Sequence, residues 1–227
     1  MVMQEGVFDE IRKLGEITAQ EVADVTSTPE KVSKILKALF DEDQADRPDD
    51  PAFIQRLQTD HEFAQTFLTE LHPKDRVRRD RALEIMSTHP ILTADDYNHL
   101  SSLFQHGETP GDYATAFLYS MKAVRAGLEP YLSLIPQSFD RYAVNTDHSQ
   151  RYGTQQSGLQ NNGAPIIPGE CADDLSENEK HFLMLTTTPP PQELLTEEEI
   201  ANKWETLPHE DREIFLSEIT QRFLAMN

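Results

Sequence analysis

At 227 residues, with 37% hydrophobic and 8% aromatic side chains, the chain is long enough to bury a hydrophobic core of its own without covalent staples. Its 40 acidic against 20 basic side chains leave a formal charge of -20, which repels nucleic-acid phosphates, and its single cysteine, Cys171, excludes an intramolecular disulfide and a cysteine-rich metal site. No stretch approaches the apolar length of a membrane span, and Met1 to Val7 lacks the basic start and apolar run of a signal peptide, so a cytoplasmic address with no membrane partner is expected.

Phe8, Ile11 and Leu14, then Val22 and Val25, then Val32, Ile35, Leu36 and Leu39 recur at helical spacing and predict three short helices. Thr18 can cap the second, and Thr28 followed by Pro29 in the first turn can open the third. The stretch from Thr18 to Leu39 resembles a helix-turn-helix, as in winged-helix regulators and the dimerisation segments of some methyltransferases. Lys31, Lys34 and Lys37 make a basic stripe on its second helix, but Glu21, Asp24 and Glu30 offset it and Ser27 stands where a turn glycine is usual. Packing or dimerisation is therefore favoured over DNA reading, and self-association through this module stays open.

After the polar stretch from Asp41 to Asp50, the residues Phe53, Ile54, Leu57, Phe63, Phe67, Leu68 and Leu71 predict one long or two abutting helices up to a stop at His72-Pro73. A further helix is expected over Arg76 to Met86. Its cluster Lys74, Arg76, Arg78, Arg79 and Arg81 is interleaved with Asp75, Asp80 and Glu84, which reads as a salt-bridged, solvated face. Thr93 caps a helix through Leu100, Leu103 and Phe104, with Asp95 and Asp96 in its first turn. Pro110 to Ala126 is the next, with Tyr113, Phe117, Leu118, Met121 and Val124 inward and Gly127 as a left-handed cap. Glu129 to Val144 is expected to be kinked or restarted at Pro136.

From Asp147 to Asp174 the periodicity stops and a long loop is expected. Short amphipathic helices follow over Ser176 to Leu185 and Thr196 to Ala225, separated by a stiff Pro-Pro-Pro spacer. The span from Glu170 to Asn227 carries 14 acidic against 4 basic residues and reads as an acidic appendage.

Phe104-Gln-His106, Asp140-Arg141 and Gln150-Arg-Tyr-Gly-Thr-Gln155, with the acidic motif Glu42 to Arg47 upstream, resemble the bacterial domain-of-unknown-function family 6624, over residues 41 to 155. The resemblance marks a family without implying a mechanism. Family members carry an acidic residue soon after the Gln-His pair, where this chain has Gly107 and Glu108.

The residues themselves suggest chemistry. His106 alone among them titrates near neutrality and is the natural general acid or base; Asp140 could orient its imidazole. Arg141 could clamp a carboxylate or phosphate, Tyr152 could donate a proton, and Gly153 lets backbone approach a ligand. Gln105, Gln150 and Gln155 complete the expected ligand-binding set. The competing reading is a structural network in which Asp140 and Arg141 pair with Arg47 and Glu42 or Asp43 while Gln150, Thr154 and Gln155 satisfy helix ends. Asp95, His99 and His106 supply at most two metal ligands on one face, so no metal and no organic cofactor is expected.

The expected architecture is all-α: a compact helical bundle of residues 41–155, a helix-turn-helix-like module of residues 1–40, and residues 156–227 as loop and acidic helices. Two functions compete. One is a cofactor-independent enzyme or binding domain for a polar or anionic small molecule; the other is a non-catalytic scaffold whose partner is a protein, with DNA regulation a weaker third.

Overall fold

The computed structural model describes residues 29–88, 92–155, 172–185 and 196–226. The two helices expected before Pro29, the turn of the helix-turn-helix, Cys171, most of the long loop and the proline spacer lie outside these residues. Within them the protein is all-α: helix makes up 75%, with nine α-helices and no strand among the described residues. None of these helices is long and apolar enough to cross a membrane.

The helices are α1 (Pro29–Ala45), α2 (Pro51–Thr59), α3 (His61–Thr88), α4 (Ala94–Gln105), α5 (Pro110–Arg125), α6 (Ile135–Val144), α7 (Glu177–Phe182), α8 (Glu197–Thr206) and α9 (His209–Leu224). Their starts follow local chemistry. Thr93 with Asp96, Thr109 with Asp112, Ser176 with Glu179 and Thr196 with Glu199 each form a reciprocal capping box, satisfying backbone donors that a helix start leaves unpaired. After α5 the chain turns at Gly127, whose φ of 109° is open to glycine at no steric cost. Pro136 sits in the first turn of α6, after a short 3-10 turn over Pro130–Leu132, so the helix starts there instead of kinking.

Pro73 does not stop a helix. α3 runs unbroken through it from His61 to Thr88, because the proline faces solvent and water can satisfy the carbonyl that its missing N–H leaves.

α5 is the central element and is buried nearly all round. Tyr113, Phe117, Met121 and Val124 face α6 (Ile135, Phe139, Tyr142), Tyr152, and the C-terminal Phe182, Trp204, Phe215 and Phe223. Phe117 and Phe223 stack with ring centroids 4.0 Å apart. The C-terminal helices thus complete the core, each fully buried phenylalanine contributing roughly 1.5–3 kcal/mol. On the other side Ala116, Tyr119 and Ala123 meet Leu100, Leu103 and Phe104 of α4, Ala82 and Ile85 of α3, and Val32 and Leu36 of α1. Small side chains let α4 and α5 approach closely: Ser101 Oγ donates to the Ala116 carbonyl at 2.9 Å and shares a hydrogen bond with Ser120 Oγ at 2.6 Å. α1 continues without a break from residue 40 into 45, so the basic helix Lys31–Lys37 and the acidic motif at Asp43 are one rigid piece.

α2 differs from the rest in burying no residue; its Phe53 packs edge-on against Phe63 and Phe67 of α3 in a half-exposed aromatic group.

Candidate functional site

The signature residues gather where the end of α1, the middle of α3, the C-terminus of α4, α6 and the loop 150–155 meet. α3 turns a polar face inward here. Leu71, Asp75, Arg78 and Ala82 recur at three- and four-residue spacing and are all buried, as is Arg79. Arg78 and Arg79 therefore belong to an internal network and not to the solvated face their charge pattern suggests.

Asp43 is the hub, 1% exposed. Its carboxylate accepts from Arg47 Nη1 at 2.6 Å and lies 2.9 Å from His106 Nδ1, while Arg47 Nη2 donates to Asp75 at 2.6 Å. Arg78 bridges Asp75, at 3.0 Å, and Asp46. Arg79 donates to the His106 carbonyl at 3.0 Å and pairs with Glu108 and Asp112. Chained pairs of this kind offset the desolvation that an isolated buried charge would suffer.

His106 is the C-cap of α4. With the Asp43 carboxylate already accepting from Arg47, the bond at Nδ1 is made by the imidazole N–H, which leaves Nε2 as the lone-pair nitrogen. Burial pulls the His106 pKa below its ordinary value; the Asp43 hydrogen bond pulls it up, and the charges of Arg47 and Arg141 pull it down. The ring is therefore neutral near pH 7, in the protonation state a general base requires.

Arg141 lies on α6, with Nη1 donating to the Gln105 carbonyl at 2.8 Å and Nε to Gln155 Oε1 at 3.2 Å. It and Arg79 thereby bond two carbonyls that the end of α4 leaves without helical partners. No carboxylate among the described residues pairs with Arg141, and burial, together with the Arg47 charge, lowers its pKa from the ordinary guanidinium value. Gln105 is 6% exposed, and its Oε1 is buried with no hydrogen-bond partner among the described residues.

Asp140, next to Arg141, faces the loop. Its Oδ1 accepts from the backbone N–H of Arg151 and of Tyr152 at 2.8 and 3.0 Å, and its Oδ2 from the backbone N–H and hydroxyl of Thr154 at 2.8 and 2.9 Å. Burial raises the Asp140 pKa while these donors pull it back. Gly153, at φ 70°, reverses the chain so that Thr154 can return to the same carboxylate. Gln150 closes the loop by donating from Nε2 to the Gln155 carbonyl and accepting from the Gln155 N–H, both at 2.8 Å, in the manner of a backbone pair.

The structure thus brings His106, Arg141, Gln105 and Gln155 into one connected region. It places Asp140, Gln150, Gly153 and Thr154 in the loop's own scaffold. Tyr152 is buried, and its hydroxyl donates to Glu179 at 3.2 Å. The carboxylate on the His106 imidazole is Asp43 and not Asp140, whose oxygens are engaged by the loop. Asp140 and Arg141 do not pair with Arg47 or Asp43 either.

Three residues that matter were not picked out from the sequence as site residues. Asp43 lay in the upstream acidic motif, 63 residues from His106, with nothing local to mark it. Arg151 sits inside the signature; its guanidinium meets Glu179 at 2.8 and 2.9 Å and Asp174 at 2.8 Å, fastening the loop to α7. Burial opposes its charge, but these carboxylates outweigh it and push the Arg151 pKa up; Glu179 is held low in return, against its own burial. Glu179 betrays itself only as half of a capping box.

No group of three His, Cys, Asp or Glu among the described residues is placed to hold a metal ion. His99 packs at a tilt against Phe40, with 4.6 Å between centroids, instead of meeting His106. No family model, curated protein or solved structure matches the chain.

Proposed function

We propose that the chain is a small, cofactor-independent enzyme or binding domain for a polar or anionic small molecule. The observation that carries the reading is the hydrogen bond of 2.9 Å between His106 Nδ1 and buried Asp43, which orients the imidazole and directs its basic nitrogen, Nε2, elsewhere. Arg141, fixed at two nitrogens and facing no carboxylate, is the anchor for the ligand's polar or anionic group. Asp140 is a positioning residue here: it shapes the loop that delivers Gln155 to Arg141. Tyr152 acts likewise from the apolar side. Membership of residues 41–155 in the family 6624 belongs to the same proposal, on the strength of the three motifs alone.

Thermal-shift screening of the full chain against metabolites, with wild type and His106→Ala in parallel, tests it. A ligand that stabilises wild type and not the folded variant supports the reading. A library that stabilises neither, or both alike, defeats it.

One observation favours the scaffold reading. α2 buries no residue, and Ile54 and Leu68 are 42% and 43% exposed on the arm it forms with α3. Exposed apolar surface of this kind marks interaction sites. Sedimentation of wild type against Leu68→Glu decides whether this arm mediates self-association; identical monomeric behaviour removes that role.

A further inference from the structure

We propose that the ligand is a carboxylate bearing a single negative charge and a hydroxyl or N–H donor near it, the carboxylate bound by Arg141 and the donor by Gln105 Oε1. The inference rests on the reading above and narrows it to a ligand class.

Charge balance sets the anion. Every other basic side chain of the network has a carboxylate within salt-bridge distance: Arg47 has Asp43 and Asp75, Lys74 has Asp46, Arg76 has Glu108, Arg78 has Asp46 and Asp75, and Arg79 has Glu108 and Asp112. Arg141 has two neutral oxygens, the Gln105 carbonyl and Gln155 Oε1, and the Tyr113 ring with its centroid 5.9 Å from the guanidinium carbon. The negative end of α4 supplies roughly half a charge at best. The deficit is thus less than one unit, which a carboxylate meets and a phosphate dianion overshoots, with Asp43 close to His106 to oppose any surplus.

Helix capping is the simpler account of Arg141, and it explains one nitrogen. Nη1 caps α4 and Nε holds Gln155, but Nη2 has no partner among the described residues. Capping also leaves the Gln105 side chain unexplained. A buried amide oxygen without a donor costs about 1–3 kcal/mol, and few such groups persist in a folded protein without a reason. Gln105 precedes His106 in the chain and gives Arg141 its backbone carbonyl, so the three residues meet at one junction. An acceptor there calls for a ligand that donates.

The test uses four small probes on the full chain: acetate, glycolate, inorganic phosphate and ethylene glycol, titrated by amide and imidazole NMR shifts. Glycolate should bind about fivefold more tightly than acetate, the worth of one neutral hydrogen bond. Phosphate should be weaker than glycolate, and ethylene glycol weakest. Gln105→Met should erase the difference between glycolate and acetate while the helix content and acetate binding persist. Arg141→Gln should lose both carboxylates. Because that variant also loosens α4 and the loop, the wild-type series and Gln105→Met decide the matter by themselves. Tighter phosphate or glycol binding, no glycolate shift, or a glycolate preference that survives Gln105→Met overturns the carboxylate assignment. The broader reading is judged separately: it survives if the metabolite screen still yields a ligand that depends on His106, and falls with this inference if it does not.

Discussion

The guanidinium of Arg151 meets the carboxylate of Glu179 through two bonds, Nε to Oε1 at 2.8 Å and Nη2 to Oε2 at 2.9 Å, both partners buried. The fork geometry joins the signature loop to α7, 28 residues on, and Tyr152 adds its hydroxyl to the same carboxylate. Breaking one side of such a pair leaves the other charge buried and alone. Arg151→Ala should therefore cost about 3–5 kcal/mol. The pair Arg151→Met with Glu179→Leu should cost less than the sum of the two single changes. Urea midpoints for the four proteins measure this; additive losses would show that the two side chains are not coupled.

What could be read beforehand follows a physical line. Thr93 with Asp96, Gly127, and the inward faces of α4 and α5 were legible because capping, left-handed turns and helical periodicity are local. The loop from Gln150 to Gln155 folds back onto Asp140 of α6, and nothing local in its sequence names that partner. Asp43 beside His106 was not, since pairing across 63 residues leaves no periodic trace. Arg78 and Arg79 read as solvated because interleaved charges look alike whether they pair in water or in a network. Glu179 carries only the local mark of a capping box, and its second task is set by tertiary packing.

Asp140 gathers three backbone N–H groups and one hydroxyl from the loop. Asp140→Asn keeps the size but replaces one accepting oxygen with an NH2 that faces donors. With bonds to a charged acceptor worth about 1.5–3 kcal/mol each, a loss of about 3 kcal/mol or more is expected. Hydrogen exchange at the Tyr152 and Thr154 amides should quicken well beyond that at the amides of α6. Unchanged protection at these amides would mean that the carboxylate does not hold the loop.

Pro73 removes the N–H that would bond the Thr69 carbonyl inside α3. An interior proline costs about 3 kcal/mol, and its stiffening of the unfolded chain returns about 1 kcal/mol. Pro73→Ala should then raise stability by about 1–2 kcal/mol, seen as a higher midpoint in thermal unfolding followed by circular dichroism. A lower midpoint would indicate that α3 relies on the proline.

Gly107 leaves no room for a side chain. A Cβ there would lie 2.1 Å from the Asp112 Cβ, and Asp112 Oδ2 holds the N–H groups of Glu108 and Thr109 at 3.0 Å each. Gly107→Ala should cost about 2–4 kcal/mol, combining a forced shift with a damaged cap. The shift also displaces the His106 carbonyl from Arg79 and the Gly107 carbonyl from the Tyr113 hydroxyl. A wild-type urea midpoint for Gly107→Ala would contradict this packing.

His106 gives the sharpest pH signature. Burial sets its folded-state pKa below the ordinary 6.5, so between those values the unfolded chain binds the proton that the folded chain refuses. Stability contributed by the neutral imidazole is then fully present above pH 6.5 and is lost as pH falls through that window. His99 and His181, both also lowered by burial, act in the same direction, so the global unfolding curve cannot assign the effect. The His106 ring resonances can, and they should titrate below 6.5. Asp43 pulls the other way through its hydrogen bond, so Asp43→Asn should move the His106 midpoint lower still. If His106 acts as a base, the lower limb of any pH–rate profile should move with that midpoint. A His106 midpoint at or above 6.5, or one indifferent to Asp43→Asn, would mean that the imidazole is neither buried nor held as the geometry has it.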